Sequence, residues 1–420
     1  MRIGLLDSAY RKSELLGLGL SWLKWELSER HGVETVTPEQ ADVVLASVQS
    51  QQALPDLRRE LKRHSIDPRT RPVVIGGPGA YAPAVFDALP IAGACVGEGR
   101  RFVSVLVADG LAAALKLPET WMPGETQAVI PHAEFPFDCP PIRYQDGTTR
   151  LWVSRGCKRK CLFCQTGWER AYQQRPDLET VYHQAAALSV KGETIFCTSN
   201  DQSELDWARL PKLPHMSATM AGLREAMRRP GGINNVRSVR VGVEGVSARL
   251  RSAVCKPIAT QELVDTTIAV MERGVTFRWF MIAGLPGETD ADYDDLKAAI
   301  MHLKRYCRKG AVMLHFHAFL PHPAAPLCIP AINDGYWQRF ERFRRWFFDG
   351  PGLTPRVQVM PCAQPATRMK QAMLNMAATE KEVRRGWWSA DNRNWRVRYV
   401  GTPDTMRRLA RRYLDELDVT

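Results

Sequence analysis

No stretch of the 420-residue chain approaches the ~20 consecutive apolar residues that a membrane-spanning helix needs. The opening, MRIGLLDSAYRKSE, has neither an apolar core nor a small-residue cleavage site. It reads as a short strand and a charged loop, not a secretory leader. Cysteine is too sparse for a disulfide framework: ten residues, seven of them scattered (Cys95, Cys139, Cys197, Cys255, Cys307, Cys328 and Cys362). There is no internal repeat, no low-complexity tract and no histidine before His31. With 45% hydrophobic and 24% charged residues, the chain is neither disordered nor collagen-like. At roughly 150 residues per domain, the expectation is a cytoplasmic enzyme of two or three domains. The net charge of +12 leaves two readings open, affinity for a polyanion or a general arginine bias.

What is there begins with alternation. Strand-like runs at Arg2–Leu6, Glu34–Val36, Asp42–Ser47, Pro72–Gly76 and Gly93–Gly97 are separated by helix-like segments such as Leu54–Arg63. This predicts a doubly wound α/β domain over 1–115, with a parallel sheet and right-handed crossovers. Gly76-Gly77-Pro78 and Gly97-Glu98-Gly99 fall at carboxyl ends of strands, where open α/β sheets bind ligands; tight turns alone would also explain them. Residues 116–148 are proline-rich and aperiodic, as expected of a linker. A second alternating series fills 149–330. Its strands are Leu151–Ser154, Thr194–Thr198, His215–Thr219, Ser238–Val243, Thr276–Ile282 and Val312–Phe319, and its clearest helices are Leu178–Ser189, Gln261–Arg273 and Asp290–Tyr306. Six βα units predict a parallel sheet curled into a partial (β/α)6 barrel. Residues 331–420 read as a small basic subdomain, with 17 Lys+Arg against 10 Asp+Glu and five of the twelve tryptophans.

The remaining three cysteines are clustered. Cys157, Cys161 and Cys164 stand in CxxxCxxC spacing just after the first strand of the second series. Three thiolates on one loop suit three irons of a [4Fe–4S] cluster, leaving the fourth iron open. Zinc is the alternative, but a structural zinc takes four ligands, and no fourth Cys or His lies near in sequence.

This spacing, with Phe163 before the third cysteine, resembles the radical S-adenosylmethionine (SAM) superfamily. The later stretches Val241-Gly-Val-Glu244-Gly-Val-Ser247, Lys256-Pro, Phe280-Met-Ile-Ala-Gly284-Leu-Pro-Gly287-Glu288 and Phe319-Leu-Pro-His-Pro resemble the second half of its barrel. The resemblance covers residues of about 145–330. It implies that SAM chelates the open iron, and that one electron from the reduced cluster cleaves SAM to methionine and a 5′-deoxyadenosyl radical. It also implies a one-electron reductant of flavodoxin or ferredoxin type as partner. Glu244 matches the acid that binds the SAM ribose; Gly284, Leu285 and Gly287 match the backbone beside the adenine. The family's Gly-Gly-Glu, which holds the SAM amino group, is replaced by Cys197-Thr198-Ser199-Asn200-Asp201, where Asn200 and Asp201 could accept from an ammonium. Cys197 reads as a buried strand residue.

The glycine turns of the first domain resemble the cobalamin-binding branch of that superfamily. The usual lower-ligand motif, DxHxxG, is replaced by Asp7-Ser8-Ala9-Tyr10-Arg11-Lys12, which has no imidazole. Some members of the branch lack this histidine, so bound cobalamin and a structural remnant both remain open. Methylthiotransferases of the superfamily carry three N-terminal cysteines for a second cluster; here residues 1–148 hold only Cys95 and Cys139, which sets that reaction aside.

The leading expectation is therefore an adenosyl-radical enzyme that modifies or isomerises a nucleobase, or its side chain, in DNA or RNA. It rests on cations interleaved with aromatics: Arg342, Arg344, Arg345 and Trp346, then Lys381, Arg384, Arg385, Trp387, Trp388 and Trp395. The same residues would equally suit a packed subdomain with tryptophans in its core. The alternative is a cobalamin-dependent methyltransferase acting on a peptide or small natural product. No catalytic residue is singled out: Tyr10, Tyr81, Arg249 and Cys362 are all candidate hydrogen donors, and nothing selects among them.

Overall fold

The computed structural model describes residues 1–8, 16–49, 53–81, 89–123, 135, 137–143, 148–169, 171–306, 309–320, 322, 325–327, 335–350 and 356–360. The first unit is a six-stranded sheet in the order β2-β1-β3-β4-β5-β6. Its strands are β1 (Ile3–Asp7), β2 (Thr35–Val36), β3 (Val43–Ser47), β4 (Val73–Gly76), β5 (Gly93–Cys95) and β6 (Thr120–Trp121). All pairings are parallel except β5 with β6. β1 and β3 are buried along their whole length, because one layer of side chains packs on each face of the sheet. β6 lies in the stretch that the sequence marks as linker. The buried Trp121 draws it onto the sheet edge despite the surrounding prolines.

The second unit follows β7 (Ile142–Arg143), with strands β8 (Thr148–Trp152), β9 (Ser154–Arg155), β10 (Gln173–Gln174), β11 (Thr194–Thr198), β12 (Met216–Ala218), β13 (Ser238–Glu244), β14 (Thr276–Ala283), β15 (Ala311–Ala318) and β16 (Val357–Met360). β11, β8 and β7 form one sheet, and β12 to β16 form another in sequential order. Each of the β8–β11, β12–β13, β13–β14, β14–β15 and β15–β16 pairings is parallel. The strand ladder is interrupted between β11 and β12, and Gln202 bridges the gap. Its Nε2 donates to the Cys197 carbonyl, and its Oε1 accepts from Ser217 N at 3.0 Å.

β13, β14 and β15 alternate. Val239, Val241, Phe277, Trp279, Leu314 and Phe316 are buried in the core against the flanking helices Thr260–Glu272 and Asp290–Tyr306. The intervening residues, among them Arg240, Arg278, Phe280 and His315, face the other side of the sheet. Helices start where a side chain satisfies a free backbone N–H: Asp177 caps Leu178–Val190, Thr219 caps Met220–Arg228 and Ser247 caps Ala248–Ala253.

The helix Tyr336–Asp349 and β16 extend this unit past residue 330. Phe340, Phe343 and Phe347 are buried in its core, and Trp337 and Trp346 pack against that core. These two tryptophans are packing residues, and Arg342 is ion-paired to Asp290 at 2.6 Å. Arg344 is ion-paired to Glu341 at 3.0 Å. Lys381, Arg384, Arg385, Trp387, Trp388 and Trp395, and Cys362, lie outside the described residues. Among the described residues no helix is long and apolar enough to cross a membrane.

Candidate active site

The loop after β9 carries the three cysteines. Gly156 opens it at φ 70°, and a Cβ there would lie 2.6 Å from the Ala171 carbonyl, so no side chain fits. The loop is pinned from several sides. Leu162 N donates to Val254 O at 3.2 Å, Leu327 N donates to Leu162 O at 2.9 Å, and Trp168 Nε1 donates to Cys161 O at 3.0 Å. Cys161 is buried, while Cys157 and Cys164 are half-buried, and all three are free thiols. Burial pushes the Cys161 thiol up to about 12 and raises Cys164 as well. The three thiols feel one another electrostatically. Among the described residues no three His, Cys, Asp or Glu converge tightly enough for a single ion. Thiolates around one zinc lie about 3.8 Å apart, given Zn–S bonds of about 2.3 Å. A [4Fe–4S] cube takes one thiolate on each of three irons, and the three cysteines of this loop match that number.

Beside this loop stands a buried ion pair. Lys256 Nζ donates to Glu244 Oε1 at 2.8 Å. Burial works against the Lys256 charge, but Glu244 and Cys161 outweigh it and hold its pKa above the ordinary lysine value. Glu244 ends β13 at φ 70°, in the left-handed region that non-glycine residues rarely adopt. The strain is held by Arg251, which is buried beneath the turn. Its Nε donates to Ile258 O at 2.7 Å, its Nη1 to Gly245 O at 3.2 Å and its Nη2 to Thr260 Oγ1 at 2.8 Å. Lys256 stands in one of the stretches that carry the resemblance, with no role attached to it there; Arg251 is one cation among 57 in sequence, and only its burial distinguishes it.

The other expected site residues divide. Asn200 Nδ2 donates to Gly156 O at 2.8 Å, so it is tied to the start of the cysteine loop. Asp201 is occupied within the protein, accepting from Ser203 Oγ at 2.6 Å and from Thr219 Oγ1 at 2.9 Å. Gly284 and Gly287, at φ 81° and 75°, turn the chain after β14, with Leu285 buried between them. Gly284 N donates to Glu288 Oε2 at 2.8 Å. Burial pushes the Glu288 carboxyl up to about 7. Arg249 pairs with Asp292 at 2.6 Å and donates to Gly287 O at 2.9 Å, which makes it a brace and not a candidate hydrogen donor. Tyr10 lies outside the described residues.

A cavity of about 740 Å³ opens between the two units. The first sheet contributes its carboxyl edge, with Gly76, Gly77, Pro78, Gly97, Glu98 and Gly99. The second unit contributes Ser154, Arg155, Gly156, Ser199 and Asn200 from beside the cysteine loop, and Arg150, Phe196, His215 and Arg240 from the barrel side. Gly77 sits at φ 93°, and a Cβ on it would lie 2.9 Å from Val48 O. The Glu98 side chain is ion-paired with Arg155, which joins the glycine turn to the strand leading into the cysteines. Among the described residues lining the cavity, no histidine comes from the first unit.

The radical SAM superfamily model matches residues 153–300. That segment is a radical SAM domain, of a superfamily that uses a [4Fe–4S] cluster and SAM. In sequence, the chain is 26% identical over 356 residues to tRNA-2-methylthio-N(6)-dimethylallyladenosine synthase of Janthinobacterium sp. (strain Marseille), covering 74% of each. It is 24% identical over 204 residues to the ribosomal protein uS12 methylthiotransferase RimO of Cytophaga hutchinsonii, covering 41% of this chain and 46% of that one. In fold it resembles the radical SAM methyltransferase TsrM from Kitasatospora setae, solved with tryptophan substrate and a SAM analogue, at TM-score 0.54 and 16% identity over 78% of this chain and 75% of that one. It also resembles the cobalamin-dependent radical SAM enzyme OxsB, at TM-score 0.52 and 16% identity over 83% of this chain and 55% of that one. At these identities the structural likeness shows the fold alone.

Proposed function

We propose that the protein is a cobalamin-dependent radical SAM methyltransferase. The observation that carries this reading is the shared cavity: the glycine-lined carboxyl edge of a parallel sheet faces Gly156 and Thr166, at the two ends of the cysteine loop, and strands of the second unit across one open cavity. A methyl carrier must reach both a donor and an acceptor, and that space offers such a position. Gly77 shapes this edge, because its φ of 93° and the approach of Val48 O leave no room for a side chain, and a bare glycine turn suits a large flat ring system. The carrier would supply methyl transfer between SAM and the substrate.

In this reading Cys157, Cys161 and Cys164 hold the cluster, which supplies the electron for SAM cleavage. Glu244 keeps one carboxylate oxygen on Lys256 and offers the other to ribose hydroxyls. Gly284, Leu285 and Gly287 present backbone to the adenine. Asn200 is left to meet the SAM amino group through its Oδ1, since its Nδ2 is spent on Gly156, and Asp201 serves by positioning Thr219 and Ser203. Lys256 balances the charge of Glu244 and of the thiolates. Two SAM and two electrons would balance the reaction: one SAM would supply the methyl group and leave as S-adenosylhomocysteine, the other would leave as methionine and 5′-deoxyadenosine carrying the substrate hydrogen, and the second electron would restore the carrier.

Anaerobic reconstitution with iron and sulfide, followed by titration with hydroxocobalamin, tests the proposal. We expect one equivalent bound, read from the visible spectrum, and both S-adenosylhomocysteine and 5′-deoxyadenosine once SAM and reductant are added. Failure to bind would overturn it. The second reading, adenosyl-radical modification of a nucleobase, would then lead, favoured by the likeness to a tRNA-modifying synthase. Methylthio transfer is not adopted, because residues 1–148 hold two cysteines where a second three-cysteine cluster would need three.

A further inference from the structure

Three arginines face one another below the proposed SAM site. Arg240 on β13 and Arg278 on β14 are in direct register across a parallel pair. Strands in a sheet lie about 4.8 Å apart, and like charges placed directly opposite repel. Arg150 on β8 adds a third charge within electrostatic reach of Arg240. Among the described residues no carboxylate pairs with Arg240 or Arg278. The Nε atoms of both are buried without an acceptor, as is Nε2 of His315 on the next strand. A chain that needed these cations only for structure would neutralise them. Donors left unmatched in a shared interior point to an acceptor that arrives from outside.

The surroundings are flat and uncharged. Phe196 lies 4.1 Å beneath the Arg150 guanidinium and 4.9 Å from the His215 ring. Phe280 stacks on His315 at 5.0 Å and on His317 at 5.9 Å. Burial and the neighbouring arginines push His215 down to about 4, so it adds no charge near neutrality. The Glu244 carboxylate folds back over Gly242, two residues beyond Arg240 on the same strand face, so the Arg240 backbone lies about 7 Å deeper than the acid.

Building on the methyltransferase reading, we propose that Arg150, Arg240 and Arg278 form an anion-binding floor that grips an oxyanion of the substrate, a small molecule bearing a carboxylate or a phosphate ester. Two guanidiniums in register present their N–H groups to one planar or tetrahedral anion, and the third closes the grip. The aromatic rings take up the flat remainder of the substrate and orient it toward the carboxyl ends of the strands. Arg150 and Arg240 line the cavity of about 740 Å³ that opens between the two units, a space on the scale of a small molecule.

Isothermal titration at fixed ionic strength, with sodium benzoate and inorganic phosphate as separate probes, tests the floor on the reconstituted full chain. We expect saturable binding of one equivalent. Tighter binding of benzoate would mark a carboxylate substrate, and tighter binding of phosphate a phosphate ester. Arg240→Gln and Arg278→Gln should each weaken binding at least tenfold, with the thermal midpoint of the anion-free protein unchanged or raised, because each removes repulsion. Arg209→Gln, which removes an exposed pair with Glu179 and a contact with the Tyr182 ring, should bind as the parent does. If neither probe binds saturably, or if both floor variants bind like the parent, the proposal is overturned. Hydroxocobalamin binding and SAM cleavage by the parent protein are read separately. Their failure alongside intact anion binding would count against the methyltransferase reading and leave the floor standing.

Discussion

Lys256 Nζ lies 2.8 Å from Glu244 Oε1, and this contact joins the end of β13 to the loop that also receives the cysteine segment. The pair is nearly buried, so neither charge is well served by water when the other is removed. Lys256→Met should cost about 2–4 kcal/mol of stability, the range for stranding one member of a buried pair. SAM affinity should fall with it. Urea denaturation and equilibrium SAM binding measure both; an unchanged midpoint would mean that Glu244 reaches solvent on its own.

The cysteines should separate sharply by position. Cys161→Ala should abolish the visible absorbance of the reconstituted protein and lower its bound iron, because a [4Fe–4S] cluster held by two thiolates is not retained. Cys255→Ser changes an exposed thiol that lies outside the CxxxCxxC loop, on the segment packed against it, and should leave iron content as in the parent. Loss of iron in both variants would mean that the cluster is held elsewhere.

Gly77 tests the sheet side of the cavity. Gly77→Ala places a methyl group 2.9 Å from Val48 O at a φ of 93°. The strain should cost about 1–3 kcal/mol. Hydroxocobalamin affinity should drop at least tenfold while uncoupled cleavage of SAM continues. Equal losses of both would indicate general unfolding of the cavity.

Glu288 gives a pH signature. Burial raises its carboxyl from the ordinary 4.5 to about 7, so the folded state binds the proton more tightly than the unfolded state. That stabilisation is present in full below pH 4.5 and is lost as pH rises through 7. At about 1.4 kcal/mol per unit, the loss is on the order of 3 kcal/mol. Glu288→Gln, which keeps an acceptor for Gly284 N, should remove the trend. The difference in unfolding free energy between the parent and this variant, measured from pH 4.5 to 8, should therefore slope against the parent. A flat difference would refute the assignment.

The βα series was legible because buried strands announce themselves by alternation, and all six parallel strands of the second series lie where the pattern places them. The cysteine loop was legible because its spacing is local. The anion floor was not. Arg150, Arg240 and Arg278 sit far apart in sequence, and on an alternating strand each reads as a solvent-facing cation; only closure of the sheet brings them together. Arg251 was missed for a related reason, since its burial depends on a turn whose shape no local pattern reveals; Lys256 was quoted as part of a motif, but its contact with Glu244 across that turn was not legible. Residues 336–360 read as part of a basic tail because charge outweighs pattern there, yet phenylalanines at helical spacing carry them into the core.

The interrupted ladder between β11 and β12 has a mechanical consequence. Elsewhere the described wall is stitched by repeated backbone rungs, but at this seam the Gln202 side chain, with its own backbone N–H to Ser217 O, substitutes for a run of them. Force or thermal agitation applied to the wall will concentrate at that seam. Amide exchange on its two lips should therefore outpace exchange in the middle of β14, and replacing Gln202 with leucine should widen that gap before it lowers global stability.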